Sequence, residues 1–270
     1  MSPRDAREPT MGTVERWAWD YIHATSLELK LGPPTVPDRW EDGPPVRIVC
    51  QPGRPSELRT VARAAKTRGL STPTGRARAL HTFLHHELQA AELMAWAVLA
   101  FPEAPRPLRA GLVRIALDEV RHMGVYAAEI ERLGHRVGDF PVRDWFWQRV
   151  PSCADAPSFL ATMGLGFESA NLDHTIVFAA RFRDAGDEPG AQAQELVGRE
   201  EIGHVRFGAL WFERLTGHLD FETWRRALPA PLSPLLMRGR PVQREPRRRA
   251  GIPEAFLDRL DAWQPEPPGS

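Results

Sequence analysis

Two Glu-x-x-His motifs recur along the chain, and their spacing restricts the folds that the chain can adopt. Glu119 precedes His122 by three positions, and Glu201 precedes His204 by the same number much later in the chain. One such motif carries little weight, because the 21 Glu and 9 His among 270 residues would produce about 0.7 of them by chance. The informative feature is therefore the repetition of the motif together with what precedes each copy.

A lone glutamate stands at nearly the same distance upstream of each motif. Glu87 precedes Glu119, Glu168 precedes Glu201, and the two separations differ by a single position. Independent placement of both upstream glutamates within one position of each other has a probability of only about 0.05. The two segments therefore form an internal repeat of one glutamate followed by one Glu-x-x-His pair.

Helix-breaking residues lie halfway along each copy of the repeat. If two antiparallel helices carry ligands at the same height, the turn between the helices must fall midway between the ligands. The midpoint of positions 87 and 119 lies in the segment FPEAPRP at 101–107, and that of positions 168 and 201 lies in RDAGDEPG at 183–190. Proline and glycine end helices. Each copy of the repeat therefore predicts an antiparallel helical hairpin whose ligands lie at the same height on its two helices.

Four long helical patterns and one long connection complete the predicted core. The patterns are helix A at 75–100, helix B at 106–134, helix C at 157–183 and helix D at 189–215. The segment 135–156 between B and C is too long for a tight turn, and it is long enough to run back along a bundle. Strand patterns are scarce. Two antiparallel hairpins joined by a long crossover predict an all-α, ferritin-like four-helix bundle.

Helical extensions are predicted on both sides of this bundle. Residues 1–70 form an N-terminal extension with a helix at 13–31 and a Pro-rich, irregular segment after it. The bundle itself occupies residues 71–217. Residues 218–270 form a C-terminal arm that is rich in Pro and Arg and closes with a short helix at 252–263.

The Arg-rich stretch at 238–251 of this arm has two interpretations. It could bind nucleic-acid phosphates, or it could pair with acidic residues and wrap the bundle. The second is favoured, because no aromatic residue that could stack on a base lies among the arginines. The formal net charge of zero also gives no global electrostatic case for nucleic acid or for an anionic membrane surface.

The cysteine content and the apolar segments of the sequence favour a cytoplasmic location without a membrane partner. Cys50 and Cys153 form no Cys-x-x-Cys motif and are interpreted as structural or incidental thiols of a reducing compartment. The N-terminus lacks the apolar region of a secretory signal. The longest uncharged apolar run, residues 93–101, is far shorter than the roughly 18 residues that a membrane span needs.

The repeated residues form a ligand set for two metal ions. Residues three apart project from one face of a helix, so each motif offers a carboxylate and an imidazole, and each upstream glutamate adds a carboxylate. The six candidate ligands are Glu87, Glu119, His122, Glu168, Glu201 and His204. Oxygen and imidazole donors suit iron or manganese. We expect two iron ions, with manganese or a mixed manganese–iron pair as alternatives, and not zinc, since six ligands exceed one tetrahedral shell.

Glu92 is an alternative ligand on helix A. It would move the midpoint of the first hairpin to between residues 105 and 106, which is less balanced against the second hairpin, so Glu87 is preferred. By the usual division of roles, Glu119 and Glu201 bridge the two ions. Glu87 and Glu168 then each complete one ion together with the histidine of their own repeat.

Five segments together resemble a bacterial ferritin-like family to which no function is assigned. They are LHHELQAAEL, LDEVRHM, GHRVGDFPVRD, FESANLD and REEIGHVRFGALWF, and the likeness covers about residues 60 to 250. The resemblance implies a ferritin-like fold and a dinuclear metal site on the six residues named above. Gly164 and Gly166 depart from the bulkier aliphatic residues expected before Glu168, which puts the regularity of helix C in question there.

These features favour a non-haem di-iron oxidoreductase that activates dioxygen to oxidise an organic substrate. A small molecule or a modified nucleoside is the expected substrate, no motif identifies the electron donor, and the chain is compatible with a homo-oligomer. The extensions favour this function, because a bare iron-storage bundle needs little beyond four helices. The alternatives are a ferroxidase or iron-storage protein and a metal-binding bundle without turnover.

Overall fold

The regular secondary structure is helical throughout the described part of the chain, so the all-α prediction is confirmed. The structure is a computed structural model that describes residues 8–45, 51–63 and 69–265, and in these ranges the only strand-like feature is an isolated bridge between Thr60 and Val142. Cys50 lies outside the described residues. None of the described helices is both long and apolar enough to cross a membrane.

The chain divides into two units. The first spans Met1–Pro151 and Asp184–Ala193, and the second spans Ser152–Arg183 and Gln194–Ser270. The helices of the first unit are α1 (Val14–His23), α2 (Leu27–Leu31), α3 (Pro73–Ala100) and α4 (Arg106–Arg132). The predicted helices A and B correspond to α3 and α4, with ends that differ by no more than two residues.

The single N-terminal helix predicted at 13–31 is wrong, because the chain breaks between α1 and α2. The side chain of Thr13 accepts a hydrogen bond from Arg16 N and begins α1, and the side chain of Ser26 accepts one from Leu29 N and begins α2. A side chain that satisfies the first amide groups of a helix favours a new helix start over continuation. The short α2 places Lys30 in the interior of the unit.

Helices α3 and α4 form the first predicted antiparallel hairpin. Near the turn, the guanidinium of Arg109 donates a hydrogen bond to the carbonyl of Val98 at 3.1 Å. Near the open end, the rings of Phe83 and Tyr126 lie 5.9 Å apart. In these contacts the residue numbers fall along α3 as they rise along α4, so the two helices run in opposite directions.

The connection after α4 runs back along α3, as its length predicted. The backbone N–H of Gly138 donates to His81 Nε2 at 2.8 Å, and further along Trp147 Nε1 donates to Glu92 Oε2 at 2.7 Å. Residue numbers rise together in the connection and in α3, so the two run in the same direction. The connection therefore returns along the hairpin before the second unit begins.

The buried imidazole of His81 should make the protein less stable in mild acid. Burial, and next the neighbouring His85, lower the pKa of His81 from 6.5 to about 4, although Asp139 opposes the shift. The folded state therefore binds fewer protons than the unfolded chain between these values. The free energy of unfolding should be fully retained above pH 6.5 and should fall by on the order of 3 kcal/mol as the pH drops to about 4.

Urea unfolding at a series of pH values measures this effect. The variant His81→Gln keeps a hydrogen-bond acceptor for Gly138, and we expect it to lose less stability between pH 7 and pH 4 than the parent chain does. Part of the decline should remain, because burial also lowers the pKa of His85. His218→Gln changes an exposed histidine and should leave the decline unchanged; identical profiles for both variants would contradict the assignment to His81.

The second unit contains two long helical runs and several shorter helices. They are α5 (Ala156–Thr162), a π-helical segment (Met163–Glu168), α6 (Ser169–Asp184), α7 (Glu188–Thr216), α8 (Phe221–Ala227), α9 (Arg244–Arg249) and α10 (Glu254–Ala262). The predicted helix C is the continuous run from α5 to α6, and helix D is α7. The predicted closing helix is α10, shorter than the range 252–263.

The π-helical segment contains the two glycines that put helix regularity in question. A Cβ atom added to Gly164 would lie 2.9 Å from the Cα of Gly208 on α7, and one added to Gly166 would lie 2.6 Å from Met237 Sδ. These contacts leave no room for larger side chains. The segment therefore lets the backbones of the two helices approach closely.

Gly208→Ala should destabilise the second unit. The added methyl group has Gly164 backbone against it, and overpacking of this kind costs about 1–3 kcal/mol. Gly203→Ala on the same helix is a matched control, because a Cβ at Gly203 meets nothing within 4 Å. That control should be neutral or more stable by up to about 1 kcal/mol, since alanine favours helix. Equal urea midpoints for the two variants would refute the close approach.

Part of the Arg-rich stretch is packed as an acid-paired arm, as the favoured interpretation predicted. Arg247 is fully buried, and its guanidinium donates to Asp173 Oδ2 at 2.6 Å and to the carbonyl of Ser169 at 2.8 Å. Asp173 also accepts hydrogen bonds from the backbone N–H groups of Gly239 and Gln243, both at 2.7 Å. One aspartate of α6 therefore anchors three points of the arm.

Candidate metal centre

In the first unit, α3 and α4 bring together the three residues that the sequence assigned to one half of a metal site. Glu87 comes from α3, and Glu119 and His122 come from successive turns of α4. One donor atom from each lies within 4.8 Å of the others, and no residue of the three is more than 4% exposed. His122 Nδ1 lies 3.1 Å from Glu119 Oε2. We call these three residues the first triad.

The second unit repeats this arrangement with the other three predicted residues. Glu168 is the last residue of the π-helical segment, and Glu201 and His204 come from successive turns of α7. One donor atom from each lies within 4.8 Å of the others, and no residue of the three is more than 5% exposed. His204 Nδ1 lies 3.2 Å from Glu201 Oε2. These residues are the second triad.

The two triads share one interatomic contact as well as their residue types. In both, the ring nitrogen that converges with the carboxylate is Nδ1, at 3.1 Å in the first triad and 3.2 Å in the second. The second triad has an added constraint, because Asn171 Nδ2 donates to Glu201 Oε1 at 3.3 Å. This hydrogen bond restrains one carboxylate oxygen and leaves Oε2 beside His204. Glu168 also ends a π-helical turn, a rare feature that often marks functional sites.

The donor set of each triad fits a divalent cation. Two buried carboxylates with donor atoms within 4.8 Å repel each other unless a positive charge or a proton compensates them. One divalent ion balances two carboxylates, and the imidazole adds a neutral donor. Carboxylate oxygen and imidazole nitrogen are the donors that iron and manganese accept together. The chain thus contains two buried clusters of acidic residues and histidine that could bind metal.

Glu92, the alternative ligand on α3, has other partners. Its carboxylate accepts hydrogen bonds from Lys30 Nζ at 2.7 Å, from Arg54 Nη2 at 2.8 Å and from Trp147 Nε1 at 2.7 Å. Both of its oxygens are engaged in these contacts. Glu87, the preferred ligand on helix A, lies with the Glu119 and His122 pair of α4.

Glu92 is part of a buried network in which charges of both signs balance. Asp144 accepts from Arg54 Nη2 at 2.8 Å and lies 3.0 Å from His85 Nε2. Burial alone would raise the pKa of Asp144, but His85 and Arg54 outweigh it and lower the pKa to about 2. Burial likewise tends to raise the pKa of Glu92, and Arg54 and Lys30 reverse this effect. Asp144 and Glu92 are therefore held in their charged forms at neutral pH.

Sequence reasoning missed this network and the role of Asn171. The network joins α3 to residues of the N-terminal extension and of the crossover, which carry no periodic pattern. One signal was available, since Lys30 is one of only two lysines in the chain. Asn171 lies three residues after Glu168, one turn along the same face.

A helical chain with two matched and buried carboxylate–histidine clusters defines the class of this protein. Within that class, the chain belongs to the family described as "Protein of unknown function (DUF455)", whose model matches residues 9–258 and includes both triads. A Haemophilus influenzae protein described as "Uncharacterized protein" is 27% identical over 190 residues, which cover 66% of this chain and 65% of that protein. The match thus spans slightly less than two thirds of the relative. No solved structure matches the chain.

Proposed function

We propose that the chain is a ferritin-like protein that binds two iron ions and uses them to activate dioxygen for the oxidation of an organic substrate. The repeated triad carries this proposal. Each unit supplies a pair of buried carboxylates and one imidazole, and the imidazoles present the same nitrogen. Two hairpins with these ligands, joined by a long crossover, are the parts of a ferritin-like di-iron bundle.

Each ion would be held by the two carboxylates and the imidazole of one triad, with Glu119 and His122 as ligands in the first triad and Glu201 and His204 as ligands in the second. Four carboxylates nearly cancel the charge of two divalent ions, which permits the ions to lie in a dry interior. Bound iron would supply a redox centre and a binding place for dioxygen.

The residues of the chain position the ligands and exclude water. Every triad residue is at most 5% exposed, so bulk water does not compete for the donor atoms. The hydrogen bond from Asn171 to Glu201 holds that carboxylate toward His204. A histidine nitrogen must be free of its proton before it binds a cation, so metal binding should weaken in acid.

The helices outside the hairpins favour substrate oxidation over simple iron storage. In the first unit α1 and α2 pack beside the α3–α4 hairpin, and in the second unit α8 packs against α5 while α9 is anchored to α6. A storage bundle needs none of these additions. They provide walls that could enclose an organic substrate.

Dioxygen uptake tests the proposed chemistry. Protein loaded with Fe(II) without oxygen should hold about two ions per chain and consume dioxygen when oxygen and a reductant are added, whereas Glu201→Ala should consume little. Light scattering after prolonged iron loading is the second measurement. A large particle with far more than two ions per chain would establish storage instead. Two bound ions without dioxygen uptake would establish a binding protein without turnover.

A further inference from the structure

A cavity of about 330 Å³ lies in the second unit between α6, α7 and α9. Its walls are mainly apolar, with Leu172 and Ile176 from α6, Ile202 from α7 and Pro246 from α9. This volume falls within the range of pockets that bind small organic molecules, about 300–1,000 Å³. None of the six triad residues lines the cavity.

A buried amide group without a partner lies in the wall of this cavity. Gln194 on α7 is 1% exposed, and its Nε2 makes no hydrogen bond to any group in residues 8–45, 51–63 and 69–265. Buried polar groups are nearly always satisfied, because an unmade hydrogen bond costs the full desolvation of the donor. Gln194 lines the cavity, so its amide is a donor that a hydrogen-bond acceptor of a bound molecule could satisfy.

The mouth of the cavity carries positive charge that the surrounding residues leave uncompensated. Its two acidic residues are already paired, Glu195 with Arg183 at 2.8 Å and Glu245 with an arginine of α9 at 3.4 Å. Arg199 and Arg249 also line the mouth and are exposed. Neither forms an ion pair with a residue that the structure describes, so both guanidinium groups can meet an anion.

We propose that this cavity binds a small organic anion that carries an apolar body and an uncharged acceptor such as a carbonyl. The carbonyl accepts a hydrogen bond from Gln194 in the interior, and the apolar body lies against Leu172, Ile176 and Ile202. The carboxylate of the ligand remains at the mouth beside Arg199 and Arg249. N-acyl amino acids and similar acyl carboxylates combine these three groups.

Isothermal titration of the full chain with N-acetylleucine tests the site. Two probes each lack one of the recognised groups: N-acetylleucinamide has no charge, and 4-methylpentanoate has no internal carbonyl. We expect saturable binding of N-acetylleucine at millimolar concentrations or below and about tenfold weaker binding of each of the other two. Inorganic phosphate, a bare anion, should not compete. Absence of binding, or competition by phosphate at equal concentration, would overturn the proposal.

Three variants connect the binding to this cavity. Gln194→Leu keeps the approximate volume and should bind N-acetylleucine about tenfold more weakly, although the free protein should be no less stable than its parent. Arg199→Gln should weaken the binding of N-acetylleucine and leave the binding of N-acetylleucinamide unchanged. Ile176→Phe fills the cavity from a position that is 45% exposed and should abolish binding of both.

The test remains valid if one of these variants fails to fold. Arg199→Gln and Ile176→Phe alter exposed side chains, so they decide the outcome even if Gln194→Leu unfolds. Arg181→Gln, an exposed change on α6 outside the cavity, is the control and should bind like the parent. If all three cavity variants also bind like the parent, the ligand lies elsewhere and the proposal is wrong. Because the test needs no metal, its result is independent of the proposed iron chemistry.

Discussion

Replacing Glu119 with alanine should remove most of the metal from the chain. The proposed centre holds about two ions per chain, and Glu119 supplies the carboxylate whose Oε2 lies 3.1 Å from His122 Nδ1. Without it, the first triad keeps one carboxylate and one imidazole, too few donors for a buried divalent ion. We expect the metal content after aerobic purification, measured by mass spectrometry, to fall from about two ions to fewer than about one per chain.

Two further variants make this result specific. Glu201→Ala removes the matching carboxylate of the second triad and should cause a similar loss, whereas Glu131→Ala changes an exposed residue of α4 and should cause none. Titration with Fe(II) then separates two arrangements. If a carboxylate is shared, either alanine variant should weaken both binding steps. If the two sites are independent, each variant should lose one ion and bind the other normally. Full metal content in both triad variants would refute the site.

The sequence predicted the candidate ligands because their chemistry is repeated and their helices have strong boundaries. Proline and glycine near residues 103 and 185 end the helices at the positions that level ligands require. The same periodicity could not separate Glu87 from Glu92 conclusively, since both lie on one buried helix. The structure separates them through Lys30 and Arg54, whose positions depend on long-range packing of segments without a periodic pattern.

The parts of the fold that sequence reasoning missed depend on hydrogen bonds between a few side chains and the backbone. Ser26 starts α2 and thereby divides the predicted N-terminal helix. Asp220 accepts hydrogen bonds from the backbone N–H groups of Glu222 and Thr223 and starts α8. Helices this short have little stability of their own and form because neighbouring residues pack against them. Their apolar positions are too few to show a period.

Glu92→Leu should strongly destabilise the first unit. Its carboxylate is fully buried and pairs with Lys30 and Arg54, and its removal leaves the buried Lys30 and the half-buried Arg54 with Asp144 as their only carboxylate in the network. Removing one partner of a buried ion pair costs about 3–5 kcal/mol, because the remaining charge is no longer compensated. Urea unfolding at pH 7 should show this loss, while Glu103→Gln, an exposed change just beyond α3, should unfold like the parent.

The double variant Lys30→Met, Glu92→Leu distinguishes lost compensation from lost packing. It removes one carboxylate and one cation, so Arg54 and Asp144 remain as a balanced pair, and the chain should regain part of the stability that Glu92→Leu loses. A double variant no more stable than Glu92→Leu would mean that packing dominates. The folded fraction of Glu92→Leu should still bind about two ions per chain, whereas Glu87→Ala should bind fewer with a smaller effect on unfolding. If Glu92→Leu instead lost metal while Glu87→Ala kept it, the two glutamates would have exchanged roles and the first triad would be wrong.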